Sequence, residues 1–139
     1  MKILIDTNIV LDHLLDRPHF NTSAAWIFSA TERGELTTLI GATTVTTVHY
    51  LVTKAAGAKA GKQSIGLILQ LFEVAPVNRM VLASALDLGF DDFEDAVLHE
   101  AALHAGVEAL ITRDMKGFAR SVLPVYAPDK FILSLAALV

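Results

Sequence analysis

KILIDTNIVLDHL, residues 2–14, sets an apolar run, Ile3 to Ile5, directly against Asp6-Thr7-Asn8, after which apolar residues resume at another spacing. Lys2 to Ile5 reads as a short strand, and Ile9, Val10, Leu14 and Leu15 then recur at the 3.6-residue period of a helix. Asp6 sits at the join, where two roles are open to it. Its side-chain oxygen can cap the free N–H groups of the following helix. The carboxyl end of a strand is also where α/β folds place ligands and metals. One carboxylate can do both.

The same alternation of strand and helix signals continues along the chain. Ala24 to Ala30, with Trp26, Ile27 and Phe28, reads as a second helix ending near Gly34, and the β-branched Thr37 to Ile40 as a second strand. Thr43 to Ala55 keeps a helical period through Val45, Val48, Leu51 and Val52 despite threonines of poor helix propensity. Ser64 to Phe72 and Arg79 to Leu88 read as further helices, with Val74 to Val77 as a strand between them. DDFEDAVLHEAALHAG, residues 91–106, is a helix stopped by Gly106, and EALIT, residues 108–112, is a buried strand. Short strands separated by helices imply a three-layer α/β/α fold on a mostly parallel sheet. No repeat, linker or low-complexity tract divides residues 1–139, so one domain is expected.

Composition narrows the functions. A hydrophobic content of 53% supports a sizeable core, and the absence of cysteine excludes disulfides, thiol nucleophiles and Cys-ligated zinc. Asp6 interrupts the N-terminal apolar run far short of a signal-peptide core, and the uncharged stretch from Leu36 to Thr53 is broken by threonines and Gly41. A cytoplasmic protein without membrane insertion is therefore expected. The net charge of −4 argues against a generic electrostatic nucleic-acid binder. A local patch remains: TKAAGAKAGK groups Lys54, Lys59 and Lys62 with no acid among them, and with Arg113 these are the candidate phosphate contacts. A short charge run of this kind is also an ordinary solvated surface.

The acids fall in three places. Asp6 follows the first strand, Asp91, Asp92, Glu94 and Asp95 crowd the start of the late helix, and Asp114 follows EALIT in ITRDMKGF. On a parallel sheet, strand ends and the helix starts that follow them share one edge, so these carboxylates can meet there. For Asp91 and Glu94, complementing the helix dipole is explanation enough. Asp95 lies beside the apolar stripe of Ala96, Val97 and Leu98, where a carboxylate needs a partner, and Asp92 is its neighbour on the helix face. Oxygen donors without cysteine or a zinc-type histidine spacing point to a hard cation, Mg²⁺ or Mn²⁺, and so to phosphodiester or phosphoryl chemistry. His49, His99 and His104 make no recognised zinc spacing and read as satisfied core-edge or surface residues.

Taken together, ILIDTNIVLD, the late DFEDAVLHEAALHAGVEALITRD and the tail YAPDKFI resemble the PIN domain, a metal-dependent nuclease fold whose small bacterial members include VapC-like toxins. The resemblance spans nearly the whole chain. It implies a ribonuclease-type site in which Asp6, Asp95 and Asp114 bind Mg²⁺ or Mn²⁺, with Asp92 helping and Asn8 or Thr112 orienting a carboxylate or water. It also implies an RNA substrate, a homodimer and, for a toxin, a cognate antitoxin.

Two positions depart from that family's pattern. Thr47 stands where a Glu is usual on the helix after the second strand, and Gly117 where many members carry Asp before Phe118. Thr47 can hydrogen-bond a metal-bound water but adds no charge. A catalytically degenerate PIN-like module that binds RNA or protein without cutting is the competing expectation. A small-molecule phosphatase of the haloacid-dehalogenase type is disfavoured, because its second Asp is replaced by Asn8.

Overall fold

In the strand Lys2–Ile5 (β1) the last three residues are buried. Ile3 and Ile5 enter one core cluster and Leu4 the other, as the two-residue alternation of a strand requires when both faces are covered. In this computed structural model, which describes residues 1–137, β1 is the middle of five strands. Residues 138 and 139 of the expected domain lie outside the described residues.

The other strands are β2 (Thr37–Gly41), β3 (Glu73–Ala75), β4 (Ala109–Ile111) and β5 (Val125–Tyr126). Their order is β3-β2-β1-β4-β5, and every pairing is parallel. Helices α1 (Thr7–Leu14), α2 (Asn21–Glu32), α3 (Ala42–Ala56), α4 (Ala58–Leu71) and α7 (Pro128–Ala136) pack with Ile3 and Ile5. Helices α5 (Arg79–Leu86) and α6 (Phe93–His104) pack with Leu4, Leu39 and Leu110 on the opposite face. This is the expected three-layer α/β/α fold, with a wholly parallel sheet. No helix among the described residues is long and apolar enough to cross a membrane.

The element boundaries show where local pattern was insufficient. α4 begins at Ala58 rather than Ser64, with only Gly57, at φ 96°, separating it from α3. Its first turns carry Lys59, Gly61 and Lys62, a weak amphipathic signal, and are held by packing against α3, where Gly61 is buried. β3 occupies Glu73–Ala75 instead of Val74–Val77, since its register is set by pairing Leu39 with Glu73 and Gly41 with Ala75. β5 had no strong local signature: it is two residues long and exists because Val125 and Tyr126 pair with Leu110 and Ile111.

The chain leaves β1 toward β2 and β3, then returns across the sheet through α5 and α6 to place β4 on the other side of β1. Connections diverge at β1 and β4, so a crevice opens at their carboxyl ends. Register aligns those ends: Ile5 pairs with Ile111, and the Asp6 N–H donates to the Ile111 carbonyl at 2.9 Å.

The late helix stops as its sequence directs. Gly106 adopts φ 73°, its N–H donates to the Leu103 carbonyl at 3.2 Å, and the Val107 N–H donates to the Ala102 carbonyl at 3.3 Å. This is a Schellman motif. A Cβ on Gly106 would meet nothing within 4 Å, so the preference for glycine is conformational rather than steric. Gly106→Ala is therefore expected to lower stability by about 1–2 kcal/mol, the cost of a side chain in the left-handed region. Thermal unfolding should show a fall in Tm of about 3–6 °C for a chain of this size; an unchanged Tm would mean that the helix stop does not depend on this residue.

Candidate functional site

Asp6 stands at the carboxyl end of β1 and caps the helix that follows. It is the N-cap of α1, with Oδ1 accepting from the Thr7 N–H at 2.7 Å, while Oδ2 accepts from the Thr112 hydroxyl at 2.8 Å and from Asn8 Nδ2 at 3.4 Å. The fully buried Thr112 hydroxyl also accepts from the Asp114 N–H at 3.0 Å. Thr112 thus joins the end of β1 to the residue that carries the next acid. Asp114 Oδ1 in turn accepts from the Gly117 N–H at 3.0 Å.

The other acids come from α6. Asp92 is its N-cap, with Oδ1 accepting from the Asp95 N–H at 3.0 Å, and Asp95 lies in the first turn. Asp6, Asp92, Glu94, Asp95 and Asp114 line one cleft of about 290 Å³, opposite Thr43 and Thr44 at the start of α3. No lysine, arginine or histidine lines it. The helix N-terminus offsets some of this negative charge, but not all of it. Burial, and then the carboxylates of Asp92, Asp6, Asp114 and Glu94, push the Asp95 carboxyl up to about 7. Asp6 is also raised: burial outweighs the hydrogen bonds from Thr112 and Thr7, and Asp114 and Glu94 add repulsion.

Gly117 is part of this geometry. A Cβ there would sit 2.5 Å from Asp114 Oδ2 and 2.8 Å from Asp95 Oδ2. The two carboxylates converge on the space that a side chain at residue 117 would need, so a larger residue requires them to move apart. This is a steric reason for glycine at a position where an acid was the familiar expectation.

Asn8 Nδ2 points to Asp6, and Asn8 Oδ1 is buried without a protein partner. An orphaned acceptor beside a carboxylate cluster suits a donor such as a cation-bound water. Among the described residues, no three acidic, histidine or cysteine side chains close on a common point as a preformed metal cage. Mg²⁺ rarely needs one, since it keeps several waters and takes one or two carboxylates. The oxygen donors, the unbalanced charge and the Asn8 acceptor therefore fit a hydrated hard cation.

Other candidates lie elsewhere. The Thr47 hydroxyl donates to the Thr43 carbonyl at 3.2 Å, and the threonines of α3 that reach the cleft are Thr43 and Thr44, one turn earlier. Thr44 is fixed by a 2.9 Å hydrogen bond with Thr7. Lys54, Lys59 and Lys62 are exposed around Gly57, at the far end of α3 from Thr43. Eleven residues of helix put Lys54 about 16 Å along the axis from Thr43. Arg113 faces away from the acids. It pairs with the buried Asp12 and borders a second cavity of about 400 Å³, with Phe20, Pro128 and Asp129.

The histidines stay outside the cleft. His99 is buried against Phe90, its Nε2 accepts from the Val122 N–H at 3.2 Å, and burial lowers its pKa. His104 lies 3.9 Å from Glu100 at the distal end of α6. Residues missed from sequence were Thr7, Thr43, Thr44 and Asp12. The first three lie two or three residues past strand ends, and Asp12 is a charge inside an apolar helix, so each left a signal without showing its partner.

The comparisons agree with this architecture. The PIN-domain family profile matches residues 2–116. Among solved structures, a toxin–antitoxin complex from Klebsiella pneumoniae superposes with a TM-score of 0.69 at 21% identity, covering 91% of this chain and 97% of that one. VapBC2 from Rickettsia felis, bound to a DNA fragment from its promoter, gives 0.68 at 16% identity over 90% and 97%. VapC20 from Mycobacterium tuberculosis, described as a sarcin–ricin-loop-cleaving toxin, gives 0.67 at 13% identity over 85% and 94%. A search of the curated proteins found no match. Since the profile spans most of the chain, the chain belongs to the PIN domain family.

Proposed function

We propose that this chain is a cytoplasmic, divalent-metal-dependent endoribonuclease acting as the toxin of a toxin–antitoxin pair. The observation that carries the proposal is the convergence of Asp6, Asp95 and Asp114 in a cleft without a balancing cation, where Asp95 is pushed up to about 7. In this reading Asp6, Asp95 and Asp114 hold Mg²⁺ or Mn²⁺, Asp92 adds charge, and Asn8 and Thr112 orient water and carboxylate. When bound, such an ion lowers the pKa of a water and stabilises the leaving oxygen of an RNA phosphodiester.

The chain's own residues prepare that chemistry. Thr112 and Thr7 fix both oxygens of Asp6, and the Gly117 N–H fixes one oxygen of Asp114. Among the described residues no hydrogen bond supports the charged form of the Asp95 side chain, and burial with the neighbouring carboxylates pushes it up to about 7. Antitoxin partnership draws support from the VapBC, FitAB and other toxin–antitoxin complexes that share the fold. Homodimerisation has an apolar face to use, since Leu82, Leu86 and Phe93 are exposed beside one another on α5 and the start of α6.

A second reading is a binding module that engages RNA or protein without cutting. It is favoured by α3, which brings threonines but no acid to the cleft. Cleavage abolished by EDTA and restored by Mn²⁺ decides for the nuclease; folded protein that binds RNA but never cuts it decides for the module.

Asp95→Asn is expected to leave the fold intact and reduce RNA cleavage at saturating Mn²⁺ by at least about a hundredfold, the scale on which a metal site responds to lost support. Activity equal to wild type would remove Asp95 from the site.

Stability gives an independent check. With the folded pKa of Asp95 near 7 and its ordinary value 3.8, the unfolded chain releases this proton first as pH rises. The stabilising contribution is full below about pH 4 and is lost as pH rises through about 7. The Tm of metal-free protein should therefore fall between pH 5 and 8 by roughly a few degrees, and Asp95→Asn should flatten the fall and raise Tm at pH 8. Saturating Mg²⁺ should restore the wild type alone. A wild-type profile shared by the variant would refute this assignment.

A further inference from the structure

We infer that Asp12 and Arg113 form a positioning clamp that sets the aim of the Asp114 carboxylate; this rests on the proposed metal-dependent reading of the cleft. Asp12 is 1% exposed on α1, in a helix that otherwise turns apolar residues inward. Its Oδ2 accepts from Arg113 Nε at 2.7 Å and its Oδ1 from Arg113 Nη2 at 3.0 Å, a two-point fork that lysine cannot reproduce. Arg17 Nη1 approaches Oδ1 at 3.5 Å, and the Arg113 guanidinium carbon lies 3.9 Å from the centre of the Phe20 ring. Asp12 and the Phe20 ring thus hold the Arg113 side chain between them.

Its place in the chain gives that immobilisation a consequence. Arg113 lies between Thr112, which bonds Asp6, and Asp114, which lines the acidic cleft, while its own side chain faces away from them. α1 therefore grips the loop after β4 twice: Asp6 holds Thr112 on the cleft side and Asp12 holds Arg113 on the other. Anchoring residues 112 and 113 leaves Asp114 little freedom of direction. An ion pair with a buried partner is a poor source of net stability compared with apolar packing, so its geometric effect is the stronger account of its presence. The Arg113 charge is neutralised by Asp12, which separates this role from phosphate contact.

The test compares wild type with Asp12→Asn, which keeps shape without charge, and Arg113→Lys, which keeps charge without the fork. Two quantities are measured: Mn²⁺ affinity by calorimetry, and exchange of the Asp114 and Gly117 amide protons in metal-free protein by NMR. Both variants are expected to fold and to bind Mn²⁺ about 10–100-fold more weakly, the range seen when groups supporting metal ligands are removed. Amide exchange at Asp114 and Gly117 should accelerate about tenfold or more, while Ile5 and Leu110 keep wild-type protection. Wild-type exchange at Asp114 and Gly117, or wild-type Mn²⁺ affinity, in a folded variant overturns the clamp. Global unfolding of both variants overturns it too, by making the contact one of general stability. If wild-type protein binds no Mn²⁺, the metal reading fails and the metal-free exchange rates alone decide the clamp.

Discussion

The hydrogen bond from the Thr112 hydroxyl to Asp6 Oδ2 is the contact on which the cleft depends. It joins the ends of two adjacent parallel strands that are 106 residues apart in sequence. It becomes available only because β1 and β4 are paired in a register that places Asp6 one residue beyond the Ile5–Ile111 pair. A slip of one residue would turn Thr112 to the other face of the sheet and leave the Asp6 carboxylate without its donor. The strand order thus acts directly on the chemistry, by determining which carboxylate meets which hydroxyl.

Electrostatics makes the same site costly. Five acidic residues line the cleft, and α6 contributes both the cap Asp92 and the first-turn Asp95. Helix N-termini accommodate anions, but only within a short range and only partly when several compete. Asp6 is satisfied by hydrogen bonds to its charged form, whereas Asp95 has no such support and carries the larger disturbance. Perturbed groups gathered in a cleft are a recognised mark of function, and here the disturbance has a named physical source. Hydrogen bonds tie the residues around the cleft to one another: Thr44 to Thr7, Asp114 to Gly117, and Arg113 to Asp12.

Much of this was legible along the chain because the signals were local. The apolar runs of β1 and β4, the cap at Asp6, the acids preceding α6 and the glycine stop at residue 106 each depend on residues within a few positions of one another. Of the acids expected to meet at one sheet edge, Asp6, Asp92, Glu94, Asp95 and Asp114 line one cleft, while Asp91 borders a separate pocket. What escaped were features whose cause is distant. β5 is strand only because β4 lies beside it, and the first turns of α4 are helix because α3 supports them. The family resemblance points to Thr47, yet the helix start brings Thr43 and Thr44 to the cleft and turns the Thr47 hydroxyl to its own backbone.

Sequence by itself determined the α/β alternation, the family to which the chain belongs, and the identity of the acids at strand and helix ends, because period, capping and turn chemistry act over short separations. Tertiary structure alone decided which groups those acids face. It placed Gly117 against Asp95 and Asp114, gave Asp12 the side chain of Arg113 as a partner, and separated the lysines from the cleft. The physical reason is that hydrogen bonds, steric exclusion and Coulomb interactions depend on distances of a few ångströms in space, which no spacing along the chain specifies.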